Sequence, residues 1–142
     1  MKVSEVMTRN VETITPDQPV SEAAGFMLSA DTGSIPVLEN DRLVGMITDR
    51  DIAVRGVANG RGPDTSVREL MTSDIVSVRD TDDVSEAAAR MSEAQVRRVP
   101  VVDSDERLCG IVSLGDLSRE TDGNNAALAL EGVSQPGGQH QQ

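Results

Sequence analysis

Aromatic side chains are almost missing from this chain: Phe26 is the only one, with no tryptophan and no tyrosine. That excludes a site that stacks bases on aromatic platforms, as single-strand nucleic-acid binders do. Any bound base must lie between aliphatic side chains and backbone. Cysteine and histidine occur once each, as Cys109 and His140. A single cysteine excludes an intrachain disulfide, and one of each excludes a His/Cys zinc site within one chain. Cys109 falls in an apolar strand pattern and His140 in a glutamine-rich tail, so they predict no nucleophile–base pair. Basic residues are also scarce. Lys+Arg is 13 against 24 Asp+Glu, a formal net charge of −11, and Lys2 is the sole lysine. So acidic a chain lacks the basic face that nucleic acid or anionic membrane requires. No apolar run approaches the roughly 18 residues that span a bilayer. Met1-Lys2-Val3-Ser4-Glu5 has no signal-peptide hydrophobic region. A cytoplasmic location is expected.

What remains is 142 residues, 37% of them hydrophobic, enough for one domain's core. The chain is written twice. Val3-Ser4-Glu5-Val6-Met7-Thr8 returns as Val67-Arg68-Glu69-Leu70-Met71-Thr72, and Val20-Ser21-Glu22-Ala23-Ala24 as Val84-Ser85-Glu86-Ala87-Ala88. Ile35-Pro36-Val37 returns as Val99-Pro100-Val101, all at an offset of 64. One inserted residue near Asp105 then moves the offset to 65, so that Arg42-Leu43-Val44-Gly45 matches Arg107-Leu108-Cys109-Gly110. Such duplication dictates the architecture before any single element does.

Each copy reads as strand, helix, hairpin, helix. In the first, Val11 to Ile14 is a short strand. Pro19 opens a helix with Val20, Ala23, Ala24 and Met27 on one face, and Gly33 ends it. Ile35 to Leu38 and Leu43 to Thr48 form a hairpin about Glu39-Asn40-Asp41. A closing helix runs from Asp49 to Ala58. The second copy repeats the first helix face with Val84, Ala87, Ala88 and Met91. Residues 1–60 thus form the first repeat, 61–65 the linker and 66–120 the second repeat. The expected fold is α/β (α+β), with two pseudo-twofold-related β-α-β-β-α repeats packed sheet to sheet around a shared core, since each copy is too short to stand alone. Packing of that kind creates two equivalent clefts. Residues 121–142 read as a disordered tail with a short helix at Ala126 to Glu131.

The chemistry concentrates where the hairpin ends. Gly45-Met46-Ile47-Thr48-Asp49-Arg50-Asp51 is matched by Gly110-Ile111-Val112-Ser113-Leu114-Gly115-Asp116. A hydroxyl leaves the strand and a carboxylate follows three residues later. One reading is a capping box, in which hydroxyl and acid satisfy backbone N–H groups at the helix start. The other is a ligand site: free N–H groups and a hydroxyl suit phosphate, and a carboxylate suits a ribose diol. Local sequence does not choose between them. Asp80-Thr81-Asp82-Asp83 and Asp103-Ser104-Asp105-Glu106 lack the glycine and distal glutamate of an EF-hand loop, so they read as a helix entry and a hairpin turn. Met7, Met27, Met46, Met71 and Met91 read as packing.

The doubled Glu-x-Met-Thr opening, the doubled x-Pro-Val strand and the doubled Gly-x-x-Thr/Ser-x-x-Asp together carry a resemblance. From Val3 to about Glu120 the chain resembles a tandem cystathionine-β-synthase (CBS) domain pair, or Bateman module, of the small stand-alone prokaryotic type. The resemblance implies a non-catalytic regulatory module that senses adenosine-containing nucleotides in clefts between the repeats. It implies AMP, ADP, ATP or S-adenosylmethionine as a regulatory ligand, with no obligatory cofactor. Asp51 and Asp116 would hold ribose hydroxyls, and Thr48 and Ser113 would contact phosphate. Adenine would lie against Thr13, Ile14, Ser34, Ile35 and Pro36 in one cleft, and against Ser77, Val78, Arg98, Val99 and Pro100 in the other. Arg50 and Arg55 are further candidates near the first, and Arg97 and Arg98 replace Gly33 and Ser34 at the second. The resemblance also implies a homodimer and, since no catalytic segment is present, a separate regulated protein. No metal site and no enzyme activity are expected. The alternative is a ligand-free dimerisation or interaction scaffold in which both acids only cap helices.

Overall fold

The computed structural model describes residues 1–120, and within them the chain is α+β. The expectations for the tail from Thr121 to Gln142 lie outside the described residues. The described chain forms two compact units whose boundary is not the linear one between repeats. One unit is Glu12–Ile75; the other joins Met1–Val11 to the chain from Val76 onward. The opening motif of each repeat therefore belongs with the body of the other.

In the unit Glu12–Ile75, helix α1 spans Val20–Ala30 behind Pro19, whose φ of −73° and ψ of 150° suit a helix N-cap. Val20, Ala23 and Met27 are buried on its inner face. It ends earlier than Gly33 suggests. Asp31 takes the left-handed conformation at φ 52°, and the Thr32 N–H returns to the Met27 carbonyl. Aspartate tolerates that conformation because its short polar side chain bonds locally. Strand β1 (Ser34–Glu39) pairs antiparallel with β2 (Arg42–Thr48). Asn40 and Asp41 between them both have positive φ, the conformation of a tight two-residue hairpin. The strand expected at Val11 to Ile14 shrinks to Ile14, which bridges Val37 in parallel. Its N–H donates to the Pro36 carbonyl, and its own carbonyl accepts from Leu38.

After Thr48 the chain turns into a helix that widens to π-type geometry over Asp51–Gly56 and tightens over Val57–Asn59. The short helix α2 (Val67–Leu70) then delivers the second opening motif, and Met46 and Thr72 exchange backbone N–H···O bonds of 2.9 and 2.8 Å. Ile14, Val20, Ala23, Ile35, Val37 and Ile47 form this unit's core together with Val67 and Leu70 of that motif.

The other unit repeats the plan. A single 3₁₀ turn at Val3–Glu5 precedes Thr8, which exchanges backbone bonds with Ile111 at 2.8 and 2.9 Å. Strand β3 (Val78–Arg79) pairs parallel with β4 (Arg98–Val102), which pairs antiparallel with β5 (Leu108–Ser113). Helix α3 spans Val84–Ala94 and α4 spans Leu114–Glu120. The inserted residue sits in the β4–β5 turn. There Glu106 has φ 65°, and the Asp103 carboxylate accepts the N–H groups of Asp105 and Arg107. Val3 and Val6 join Val78, Val84, Ala87, Ala88, Met91, Val99 and Val101 in the core. Each unit thus has a core cluster of its own. The exchanged opening motifs supply the apolar surface that each repeat lacks alone.

Candidate functional site

Every residue singled out for one ligand position falls within one unit. In the unit Glu12–Ile75, Thr13 is half-buried, and Ile14, Ser34, Ile35, Pro36, Thr48 and Asp51 are buried. Antiparallel pairing sets Ser34 opposite Thr48 at the end of the hairpin, while the Ile14 bridge sets its backbone beside Pro36. Arg50 stands apart: its side chain is exposed, and its backbone N–H donates to the Asp49 carboxylate at 2.8 Å. In the other unit, Ser77 is half-buried next to buried Val78. Register sets Arg98 opposite Ser113, Val99 opposite Val112 and Pro100 opposite Ile111.

Both acids close a capping box. The Thr48 N–H donates to Asp51 Oδ2 at 3.0 Å and the Asp51 N–H to Thr48 Oγ1 at 3.1 Å. The same pair in the other unit measures 2.8 Å from the Ser113 N–H to Asp116 Oδ2 and 3.1 Å from the Asp116 N–H to Ser113 Oγ. Such reciprocal bonds satisfy N–H groups that a helix start leaves open. They use only one oxygen of each carboxylate.

The second oxygen separates the corners. Asp51 is 0% exposed, and its Oδ1 has no hydrogen-bond partner. Arg55 Nη1 comes no closer to it than 3.8 Å. The same nitrogen donates to the carbonyls of Leu70 and Met71 at 3.2 and 3.3 Å, where the short α2 helix ends. Burial pushes the Asp51 carboxyl above its ordinary value; the bonds from Thr48 and the charge of Arg55 pull the other way without cancelling it. At Asp116 the equivalent Oδ1 accepts from Arg119 Nη2 at 2.6 Å. A buried acceptor left open is costly in a folded protein. The Asp51 corner therefore presents an unfilled demand for a donor, of a kind that a sugar hydroxyl meets.

Two features escaped the sequence reading. Arg119 was not among its candidates, although it lies one helical turn beyond Asp116, a spacing at which helical side chains meet. Gly45 and Gly110 were read as motif letters without a role, yet each backs onto an exchanged opening segment. No group of three or more His, Cys, Asp or Glu side chains among the described residues could hold a metal ion. No described helix is long and apolar enough to cross a membrane.

Comparison with known proteins places this geometry. The family model described as the CBS domain matches residues 3–56 and 67–123. The CBS domain-containing protein YhcV of Bacillus subtilis is 41% identical over 133 residues, covering 93% of this chain and 94% of its own. Inosine-5′-monophosphate dehydrogenase of Methanocaldococcus jannaschii is 34% identical, but the match spans 26% of that enzyme. Among solved structures, Hypoxic Response Protein I with two coordinated zinc ions has a TM-score of 0.78 at 36% identity, covering 84% of this chain and 98% of that one. The CBS domain pair of protein MJ0100 in complex with 5′-methylthioadenosine and S-adenosyl-L-methionine has a TM-score of 0.74 at 28% identity, covering 84% and 94%. CBSX2 in complex with AMP has a TM-score of 0.73 at 28% identity, covering 83% and 93%.

Proposed function

The chain belongs to the CBS-domain family, with one such domain in each half, and from that premise we propose that it is a non-catalytic regulatory module for adenosine-containing ligands. The observation that carries this reading is the bare, buried Oδ1 of Asp51 beside the Thr48 hydroxyl. A ribose hydroxyl donates to Asp51, Thr48 contacts the 5′ substituent, and the adenine lies against the aliphatic wall of Ile14, Ile35 and Pro36. The complexes of MJ0100 and CBSX2 support the ligand class. A chain with one aromatic residue needs an aliphatic base pocket.

A thermal-shift panel of AMP, ADP, ATP, NAD, S-adenosylmethionine and 5′-methylthioadenosine tests the reading. At one hundred times its dissociation constant a ligand stabilises the fold by about 2.7 kcal/mol, a shift of roughly 5–10 °C for a domain of this size. No shift with any of them at millimolar concentration refutes it.

The completed capping boxes at Asp51 and Asp116 favour a second reading, a ligand-free homodimeric scaffold. In that case alanine at either acid lowers stability by about 1 kcal/mol without touching any ligand response. A strict monomer by light scattering at high micromolar concentration, with and without nucleotide, rules the scaffold out.

A further inference from the structure

Building on the proposed nucleoside reading, we infer that the chain has one ribose-binding corner rather than two, and that Arg119 withholds the second by occupying the carboxylate oxygen a ribose needs. At Asp51 one oxygen is engaged by the Thr48 N–H and the other is bare and buried. At Asp116 both are taken: Oδ2 by the Ser113 N–H at 2.8 Å, Oδ1 by Arg119 at 2.6 Å.

An arginine follows each acid by about one turn, and local helix geometry decides what it does. Arg55 stands four residues after Asp51 in the widened turn Asp51–Gly56, and its Nη1 is drawn to the Leu70 and Met71 carbonyls. Arg119 stands three residues after Asp116 in the regular helix α4, the spacing that stacks side chains on one face. There the guanidinium meets the acid with a short charge-assisted bond. A ribose entering the Asp51 corner gains an acceptor that no hydrogen bond satisfies, with Arg55 Nη1 only at ion-pair distance, 3.8 Å. One entering the Asp116 corner must first break the 2.6 Å contact and displace the guanidinium into solvent. The flanking residues agree: Gly33 and Ser34 beside the first corner become Arg97 and Arg98 beside the second.

Isothermal titration of the full chain with AMP, and separately with 5′-methylthioadenosine, tests the assignment. One ligand per chain is expected. Asp51→Asn weakens binding by about 10–100-fold, and Asp116→Asn leaves affinity and stoichiometry unchanged. Arg119→Ala and Arg119→Gln, each shown folded by circular dichroism and its melting midpoint, raise the stoichiometry to two per chain, with the new site within about tenfold of the first. Two equivalent sites in the unaltered protein overturn the assignment. So does loss of binding on Asp116→Asn, or a stoichiometry still at one in both Arg119 variants. Those outcomes leave the nucleoside reading standing; absence of binding by both ligands also overturns the assignment, and the nucleoside reading itself falls only if the full six-ligand panel gives no shift.

Discussion

A Cβ placed on Gly45 would lie 2.7 Å from the carbonyl oxygen of Thr72, closer than such atoms approach in folded proteins. That carbonyl accepts the Met46 N–H at 2.9 Å, so the glycine is where an incoming segment seats its backbone edge-on against β2. Gly110 stands in the same relation to Thr8, whose carbonyl accepts the Ile111 N–H at 2.9 Å. The glycine of Gly-x-x-Thr/Ser-x-x-Asp thus serves the exchange of opening motifs, while the hydroxyl and acid that follow serve the corner.

Gly45→Ala and Gly110→Ala are each expected to lower stability by about 1–3 kcal/mol, the usual penalty for forcing atoms into a filled space. Gly33→Ala is the control. Its Cβ would also meet an atom at 2.9 Å, but that atom is the free end of the exposed Asp49 side chain, which can move. Its effect should stay within about 0.5 kcal/mol. Denaturant midpoints for the three variants check the contrast; equal losses at Gly33 and Gly45 would contradict it.

Asp51→Asn should separate stability from binding. The folded carboxyl sits above its ordinary value of 3.8, so the native state holds the proton more tightly than the unfolded chain. Asp51 therefore contributes most at low pH, and that contribution is lost as pH rises from 3.8 through the higher folded value. Asparagine can still accept the Thr48 N–H and carries no charge to desolvate. At pH 7 the unliganded variant should be at least as stable as the parent, and its pH profile flatter above pH 4. Nucleoside binding should weaken by about 10–100-fold, the worth of a hydrogen bond to a charged group. A melting point clearly below the parent at pH 7 would mean that the acid is mainly a cap.

Asp83 predicts the opposite pH dependence. It caps α3, accepting from the Ser85 N–H at 3.0 Å and the Ser85 hydroxyl at 2.6 Å. Those bonds and the nearby N-terminal amine lower its carboxyl to about 2. A depressed folded value stabilises above the unfolded value of 3.8, and that support disappears as pH falls through about 2. Asp83→Ala should melt below the parent at pH 7, and the gap should close on acidification across that window. A gap independent of pH would show that charge plays no part in the cap.

Cys109 should be a slow thiol. Burial raises its ionisation above the ordinary value, and the charges of Asp80 and Asp103 add to this, against a smaller opposing effect of Arg9. Since the thiolate is the reacting species, alkylation by iodoacetamide at pH 8 should run slower in the folded chain than in urea. Equal rates would refute the assignment of its surroundings.

Much of this molecule is legible without coordinates because its signals are local or repeated. The spacing of Val84, Ala87, Ala88 and Met91 marks a helix face, Asn40-Asp41 marks a hairpin, and the duplicated Thr/Ser-x-x-Asp marks both corners. Other features depend on what arrives from elsewhere in the chain. Asp31, not Gly33, ends α1 because local hydrogen bonding makes its left-handed conformation tolerable. The Val11–Ile14 strand keeps only Ile14 because pairing, not β-propensity, decides how much of an edge is used.

The sequence by itself determined the duplication, the order of helices and strands, and the residue types at each corner, because periodicity and turn chemistry act over a few neighbouring residues. Tertiary structure alone decided that Val3 and Val6 complete one core and Val67 and Leu70 the other. It alone decided that Asp51 keeps an open oxygen while Asp116 does not. Both outcomes turn on distances between groups that chain order leaves unspecified: a buried side chain goes where apolar surface is missing, and a guanidinium goes to the nearest acceptor.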